Sequence, residues 1–406
     1  MSEEILKAIE EHGVHARVIT PDDDGHYFFA YYDLQPFDST GRYHLVHKVA
    51  FEDRIPGPDD VCEIGMIDLQ DGNKFIKLAE TYAWNFQQGA LLRWYRDDDH
   101  ILFNVYEDGK YGCCVLNIKT GEKKILPMPI ADVSPDGKWG LSINFMRIWN
   151  FRAGYGYCQV KDPWFDVKAP EDDGLFLMNM ETGETKMLAS YAQIRKQFYF
   201  EPNSNGKLVI NHINFNTTGD RYVMLFRNFP EPGMWWRTQL ISGDLEGNLY
   251  MITNFAVNSH YHWKNANQLL IWGGATTDPK DADLRIYEDL TKNCYVLPKR
   301  EMSTVLDDPN KDIHCLWSPN RKYILGDGYG DNSHYRNLHF IDPEKNTDTI
   351  IGRYYSYTTD GKTGEYRCDL HARFDRSGRY VSFDSNHTGK RTVCLIDMSE
   401  LEGYEY

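Results

Sequence analysis

Residues 367–387 read RCDLHARFDRSGRYVSFDSNH. Apolar residues alternate on both sides of a Gly-containing turn at 375–378, which predicts a β-hairpin with one strand ending at 371–374 and the next covering 379–383. The hairpin matters because it is repeated. A histidine stands seven residues before the turn position in four such units: His371 before Gly378, His314 before Arg321 in HCLWSPNRKYIL, His260 before Asn267 in HYHWKNANQLLI, and His212 before Gly219 in HINFNTTGDRYVML. These histidines follow one another at intervals of 48, 54 and 57 residues. Such a period suits propeller blades and is too long for most solenoid repeats. The innermost strand of each propeller blade lines a central channel, so four imidazoles at one repeated inner position are expected to converge there.

Turns of the same kind at Gly41, Asp98, Gly137, Gly219, Asn267, Arg321 and Gly378 divide the 406 residues into seven units. The expected fold is therefore all-β: a seven-bladed β-propeller of four-stranded antiparallel blades forming a single domain over 1–406. The segment from His26 to Asp33 is read as the inner strand of the first blade, followed by YHLVHKVAF, CEIGMIDL and KFIKLAE. Residues 1–20 are read as a short acidic amphipathic helix ending at Gly13, with a lead-in to the first strand. Residues 146–173 form an insertion rich in Arg, Tyr, Trp and Pro, of a length that usually signals function.

Composition narrows the function. A formal net charge of -16 disfavours a sequence-independent grip on nucleic acid. An acidic substrate would need local arginines or a metal to hold it. No apolar run is long enough to span a bilayer, and the first residues show neither the basic nor the apolar part of a signal peptide. With eight scattered cysteines suited to free thiols, the expectation is a cytoplasmic protein without a membrane partner.

Three constellations carry candidate chemistry. His260, His314 and His371, with Cys368 three residues before the last, offer nitrogen and sulfur donors suited to zinc, or to manganese if oxygens replace the sulfur. Asp369 is a further ligand or an orienting carboxylate; the alternative is that the histidines hydrogen-bond across the channel. His26 and His47 lie on strands joined by one hairpin, among Tyr27, Tyr31, Tyr32 and Tyr43, and provide a proton acceptor and donor near neutral pH. Arg147, Arg152 and Tyr155 in the insertion can bind a carboxylate and pass a proton to a leaving oxygen, or can pin the loop by ion pairs. The amides of 85–89 (NFQQG) are read mainly as structural. No serine elbow, P-loop, dinucleotide turn or HExxH occurs.

The stretches GHYFFAYYD, GRYHLVHKV, RxxxxRAGYGY, DIHCLWSPN and RCDLHARFDRSGRYVSFDSNHTGKR resemble the propeller polysaccharide lyases: ulvan lyases and, more distantly, oligogalacturonate lyase. Related propeller enzymes acting at rhamnose-glucuronate linkages are also similar. The resemblance implies a uronic-acid oligosaccharide as substrate and cleavage by β-elimination. On the ulvan lyase pattern, His26 and His47 do the chemistry with Arg147, Arg152 and Tyr155, while His314, Cys368 and His371 hold a structural metal. On the oligogalacturonate lyase pattern, His260, His314 and His371 hold a catalytic metal and His212 is the base. That pattern has a second histidine two residues after His371, where this sequence has Arg373. Rival expectations are a hydrolase of rhamnose-glucuronate bonds and a noncatalytic propeller binding a protein or glycan.

Overall fold

The computed structural model describes residues 13–198, 206–230, 236–254, 257–276, 278–291, 293–297, 312–329, 334–356 and 364–406. They form seven four-stranded antiparallel sheets, each a consecutive meander except the last. The innermost strands are His26–Phe28, Arg93–Tyr95, Asp132–Val133, Leu208–Phe215, Asn258–Trp263, Ile313–Trp317 and Arg373–Phe374. Blades are numbered one to seven in that order. The seventh takes its outermost strand from the start of the chain: Ala16–Val18 pairs antiparallel with Thr392–Asp397, Ala16 opposite Ile396. The lead-in expected before the first strand is thus the clasp that closes the ring. The helix expected in the first thirteen residues lies almost wholly outside the described residues.

Why the sheets stack radially is legible in blade five. Along Gln268–Gly273, Leu269 and Ile271 pack with Val223, Leu225 and Leu240 of blade four. Leu270 and Trp272, pointing the other way, pack with Ile313, Cys315 and Trp317 of blade six. Period-two alternation thus sends successive side chains to opposite neighbours, and a strand apolar on both faces must be covered on both. The inner hairpin turns need a left-handed residue: Gly137, Gly219 and Gly378 have φ of +71°, +76° and +84°.

The inner strand of blade one is shorter than expected. Pairing stops at Phe28, opposite His47, and Ala30 takes φ +106°, far from any strand conformation. The Asp384 carboxylate accepts the N–H groups of Phe29 and Ala30 at 3.0 and 3.1 Å and turns the chain. Residues 29–33 then cross the channel as a strap. Tyr32 Oη donates to the carbonyl of Tyr261 in blade five and accepts its N–H, both at 2.9 Å.

In the insertion, a helix spans Phe145–Phe151, capped by the Asn144 side chain, which accepts the N–H of Arg147. The Arg147 guanidinium is fully buried and donates to the carbonyls of Leu208, Trp164, Val167 and Lys168, with Asp162 at 3.3 Å. It fastens the loop to blade four.

Candidate active site

The four repeated histidines meet around one axis. His212, His260 and His314 sit on the inner strands of blades four, five and six, and His371 stands just before that of blade seven. Ring centroids of His260 and His314 are 4.0 Å apart, and those of His314 and His371 are 4.4 Å apart. The strap places Tyr31 against both ends of the row, 4.9 Å from the His212 ring and 5.0 Å from that of His371.

Each imidazole has a different environment. His212 Nε2 lies 2.7 Å from Asp33 Oδ2, its ring stacks on Tyr261 at 4.3 Å, and its Nδ1 is buried without a hydrogen-bond partner. Burial acts to raise the Asp33 pKa, but the charge and hydrogen bond of His212 outweigh it and leave the carboxyl below its ordinary value. An ionised Asp33 draws the imidazole proton to Nε2, so Nδ1 presents a lone pair. His260 is engaged at both nitrogens, with Asp312 at 2.9 Å and Tyr329 Oη at 3.5 Å. Burial, and secondarily the neighbouring imidazoles against Asp312, lowers its pKa to about 4, so the ring is neutral at pH 7.

His314 and His371 compose the candidate metal centre. Asp327 Oδ2 holds His314 Nδ1 at 3.1 Å, and both groups are wholly buried, leaving Nε2 unpartnered. The same carboxylate accepts the N–H groups of Leu370 and Ala372, so one acid orients His314 and fixes the backbone on either side of His371. His371 adopts φ +43°, a left-handed strain typical of functional positions, and its Nε2 is also buried without a hydrogen bond. One ligand atom from each of His314, His371 and Asp369 lies within 4.8 Å of the others. Two imidazoles with an orienting carboxylate behind one of them fit a divalent ion of the zinc or manganese kind. Asp369 is shared with Arg336 at 2.7 Å and Arg367 at 2.8 Å; despite burial, these cations hold its carboxyl well below the usual range.

Two arginines beside the channel have no carboxylate partner among the described residues. Arg152 lies over the ring of Tyr155 at 4.3 Å and that of Trp236 at 5.3 Å. Arg227, also near Trp236, is buried and among the described residues donates to Thr238 Oγ1 and the Asn258 carbonyl. Burial, and secondarily repulsion from Arg152, lowers its pKa to about 10. A buried cation without a counter-ion is costly unless an anion completes it. Tyr155 Oη accepts from Arg367 at 3.1 Å, and its ring meets Tyr31 at 6.3 Å. Tyr155, with Arg152 over its ring, thus reaches the strap beside the histidine row, whereas Arg147 is bonded within the insertion and to Leu208.

Three other expectations separate from this site. His47 is fully enclosed: its ring stacks on Phe28 at 5.0 Å, a Cβ on Gly89 would overlap it, and its Nε2 accepts the Ala90 N–H at 3.0 Å. His26 lies within blade one, 3.0 Å from Glu52. The aromatic strand packs inward around His47, and neither ring joins the histidine row. Cys368 is a buried thiol outside the group of His314, Asp369 and His371 whose ligand atoms lie within 4.8 Å of one another, and burial pushes its pKa up to about 12. Asp369, the next residue, stands in that group instead. Arg373, standing where the galacturonate pattern has histidine, donates to the Ala30 carbonyl and pairs with Asp384 at 2.9 Å. The NFQQG amides brace loops: Gln87 donates to the Arg367 carbonyl at 3.0 Å.

Sequence reading missed Asp33, Arg227 and Asp327. Asp33 ends an apparent strand and Asp327 lies within one, so neither carried a spacing signal. Arg227, in RYVMLFRN, was one basic residue closing an apolar strand.

No helix among the described residues is long and apolar enough to cross a membrane. No protein-family model matches the chain. No curated protein sequence matches it significantly. Among solved structures it is similar to an oligogalacturonate lyase in complex with manganese, at 16% identity over 95% of this chain and 93% of that one, with a TM-score of 0.66. It is likewise similar to the oligogalacturonate lyase of Vibrio parahaemolyticus, at 12% identity over 97% and 95% of the two chains, TM-score 0.64. The β-propeller domain of the Trilobed protease from Pyrococcus furiosus matches at 12% identity over 93% and 97%, TM-score 0.51. At such identities the likeness establishes the propeller fold.

Proposed function

We infer that the protein is a carbohydrate lyase that cleaves a 4-linked uronate in an acidic oligosaccharide by β-elimination. The observation that carries this reading is His212, held by Asp33 through Nε2 and without a hydrogen bond at Nδ1, in one row with two further imidazoles whose Nε2 atoms make no hydrogen bond among the described residues. Structural likeness to oligogalacturonate lyases supports the lyase class.

The C5 proton of a uronate is weakly acidic, so negative charge building on the neighbouring carboxylate must be met by positive charge. Arg152 and Arg227, lacking acid partners among the described residues, are assigned to bind substrate carboxylates. A divalent cation, manganese or zinc, held by His314 and His371 with Asp369 beside them, would add Lewis-acid neutralisation. His212 Nδ1 takes the C5 proton, the C5–H electron pair becomes the C4–C5 double bond, and the C4–O bond breaks. Tyr31, which touches the rings of both His212 and His371, gives a proton to the departing oxygen. Burial raises the Tyr31 pKa well above its ordinary value, so the phenol enters each turnover protonated.

The test is an ultraviolet assay over oligogalacturonates and rhamnose-glucuronate oligosaccharides. A new conjugated absorbance, abolished in His212→Ala and retained in His26→Ala, is expected. Cleavage without that chromophore would assign a hydrolase.

A further inference from the structure

The channel has a second mouth. Its strap residue Asp33 also lines two adjoining cavities, of about 300 Å³ and 230 Å³, that share Asp132, Val133 and Pro135 with it. Their walls include the inner hairpin turns near Pro135, Thr217 and Arg321, so they open on the turn face, at the opposite end of the inner strands from His314 and His371.

The turn of blade six is the anomaly. Ser318-Pro-Asn-Arg321 matches Ser134-Pro-Asp-Gly137 position by position, and both close with a hydrogen bond from the fourth residue to the first. Gly137 has φ +71°, whereas Arg321 takes φ +62° with a full side chain. Glycine holds such a conformation freely; an arginine holds it under strain, a condition that clusters at binding positions. The Arg321 guanidinium makes one long contact, 3.4 Å to the Trp263 carbonyl, and no ion pair with a carboxylate among the described residues. Beside it, His262 Nδ1 accepts the Trp317 N–H at 3.2 Å, which leaves Nε2 as the donating nitrogen in the same cavity.

The acids in these walls are already answered. Asp132 pairs with Arg93 at 2.6 Å and accepts the Phe215 N–H, and Asp33 is bound to His212. Arg96 and Arg376 stand at the exposed rim of the smaller cavity, bonded to the carbonyls of Gly137 and Phe37 and without acid partners among the described residues. In a chain of net charge -16, this leaves one mouth with unneutralised guanidinium groups.

We propose that the turn-face mouth is a second binding site, separate from the histidine row, for a small oxyanion carrying a phosphate or carboxylate group, seated on Arg321 and His262. A planar guanidinium fork suits either group.

The experiment titrates inorganic phosphate, and separately acetate, into the full-length protein at constant ionic strength, read by calorimetry and thermal shift. Wild type is expected to bind saturably; tighter binding of phosphate marks a phosphorylated ligand, and tighter binding of acetate a carboxylated one. Arg321→Gly, which restores the residue usual at this turn, is expected to raise the melting temperature of the unliganded protein while weakening the anion by about tenfold or more. Arg321→Lys retains charge and loses only part of the affinity. The proposal is overturned if wild type shows no saturable binding, or if Arg321→Gly binds with unchanged affinity.

Discussion

Asp33 and His212 come from opposite sides of the ring and meet at 2.7 Å, the carboxylate on Nε2 and Nδ1 buried without a hydrogen bond among the described residues. The strap exists to make that contact possible: Asp384 ties down its start, and the two hydrogen bonds of Tyr32 tie it to blade five. Replacing Asp33 by Asn keeps the shape but lets the amide favour the wrong imidazole tautomer. The expected loss is roughly 10² to 10⁴ in kcat with KM little altered. Steady-state kinetics check the loss, and the ¹⁵N shifts of the His212 ring report the tautomer independently of turnover.

Removing the metal ligands should separate His314 and His371 from Cys368. His314→Ala and His371→Ala are expected to weaken manganese or zinc binding by about tenfold or more, the scale on which even supporting partners act. Cys368→Ser is expected to leave it unchanged, because the thiol lies outside the group of His314, Asp369 and His371. Elemental analysis after dialysis against a chelator and reloading reads both.

Arg147 is expected to matter for stability. Its truncation to Ala strands four carbonyls and Asp162 in a buried loop. A loss of about 3–5 kcal/mol follows from breaking a buried charge network. Denaturant unfolding measures it; a variant of unchanged stability with lost turnover would reassign Arg147 to the chemistry.

Acid should unfold the protein through histidines that are buried neutral. Burial lowers the pKa values of both His44 and His47 from 6.5 to about 3. A folded pKa below the unfolded one means the unfolded state binds more protons, so stability is full above pH 6.5 and falls as pH drops toward 3. Each such group contributes a slope of about 1.4 kcal/mol per pH unit within that window. His47→Gln keeps an acceptor for the Ala90 N–H and does not titrate, so its melting temperature should decline less steeply between pH 6 and 4 than that of wild type, on the same linkage.

The repeat made the ring legible. A histidine at one offset from four of seven similar turns was enough to place His212, His260, His314 and His371 on a common axis, because period-two strands and hairpin turns are local rules that the fold obeys. What sequence could not supply is what crosses the ring. His26–Phe28 and the following five residues look like one strand, and only the Asp384 carboxylate, hundreds of residues away, bends them at Ala30. The same long range hid the clasp at Ala16–Val18, whose partner lies at the far end of the chain. The placing of His47 was hidden for a related reason: a shared hairpin brings strands together, but whether a ring faces a cavity or Phe28 depends on packing against Gly89. Cys368 precedes Asp369 in sequence, yet it is Asp369 whose oxygen comes within 4.8 Å of the His314 and His371 nitrogens.

Mass spectrometry of the products formed from a defined uronate oligosaccharide tests the central claim most directly. Elimination through His212 predicts fragments whose masses sum to that of the substrate, one of them unsaturated, and no fragments from a folded His212→Ala protein. Fragments summing to the substrate plus one water, or undiminished cleavage by His212→Ala, would contradict it.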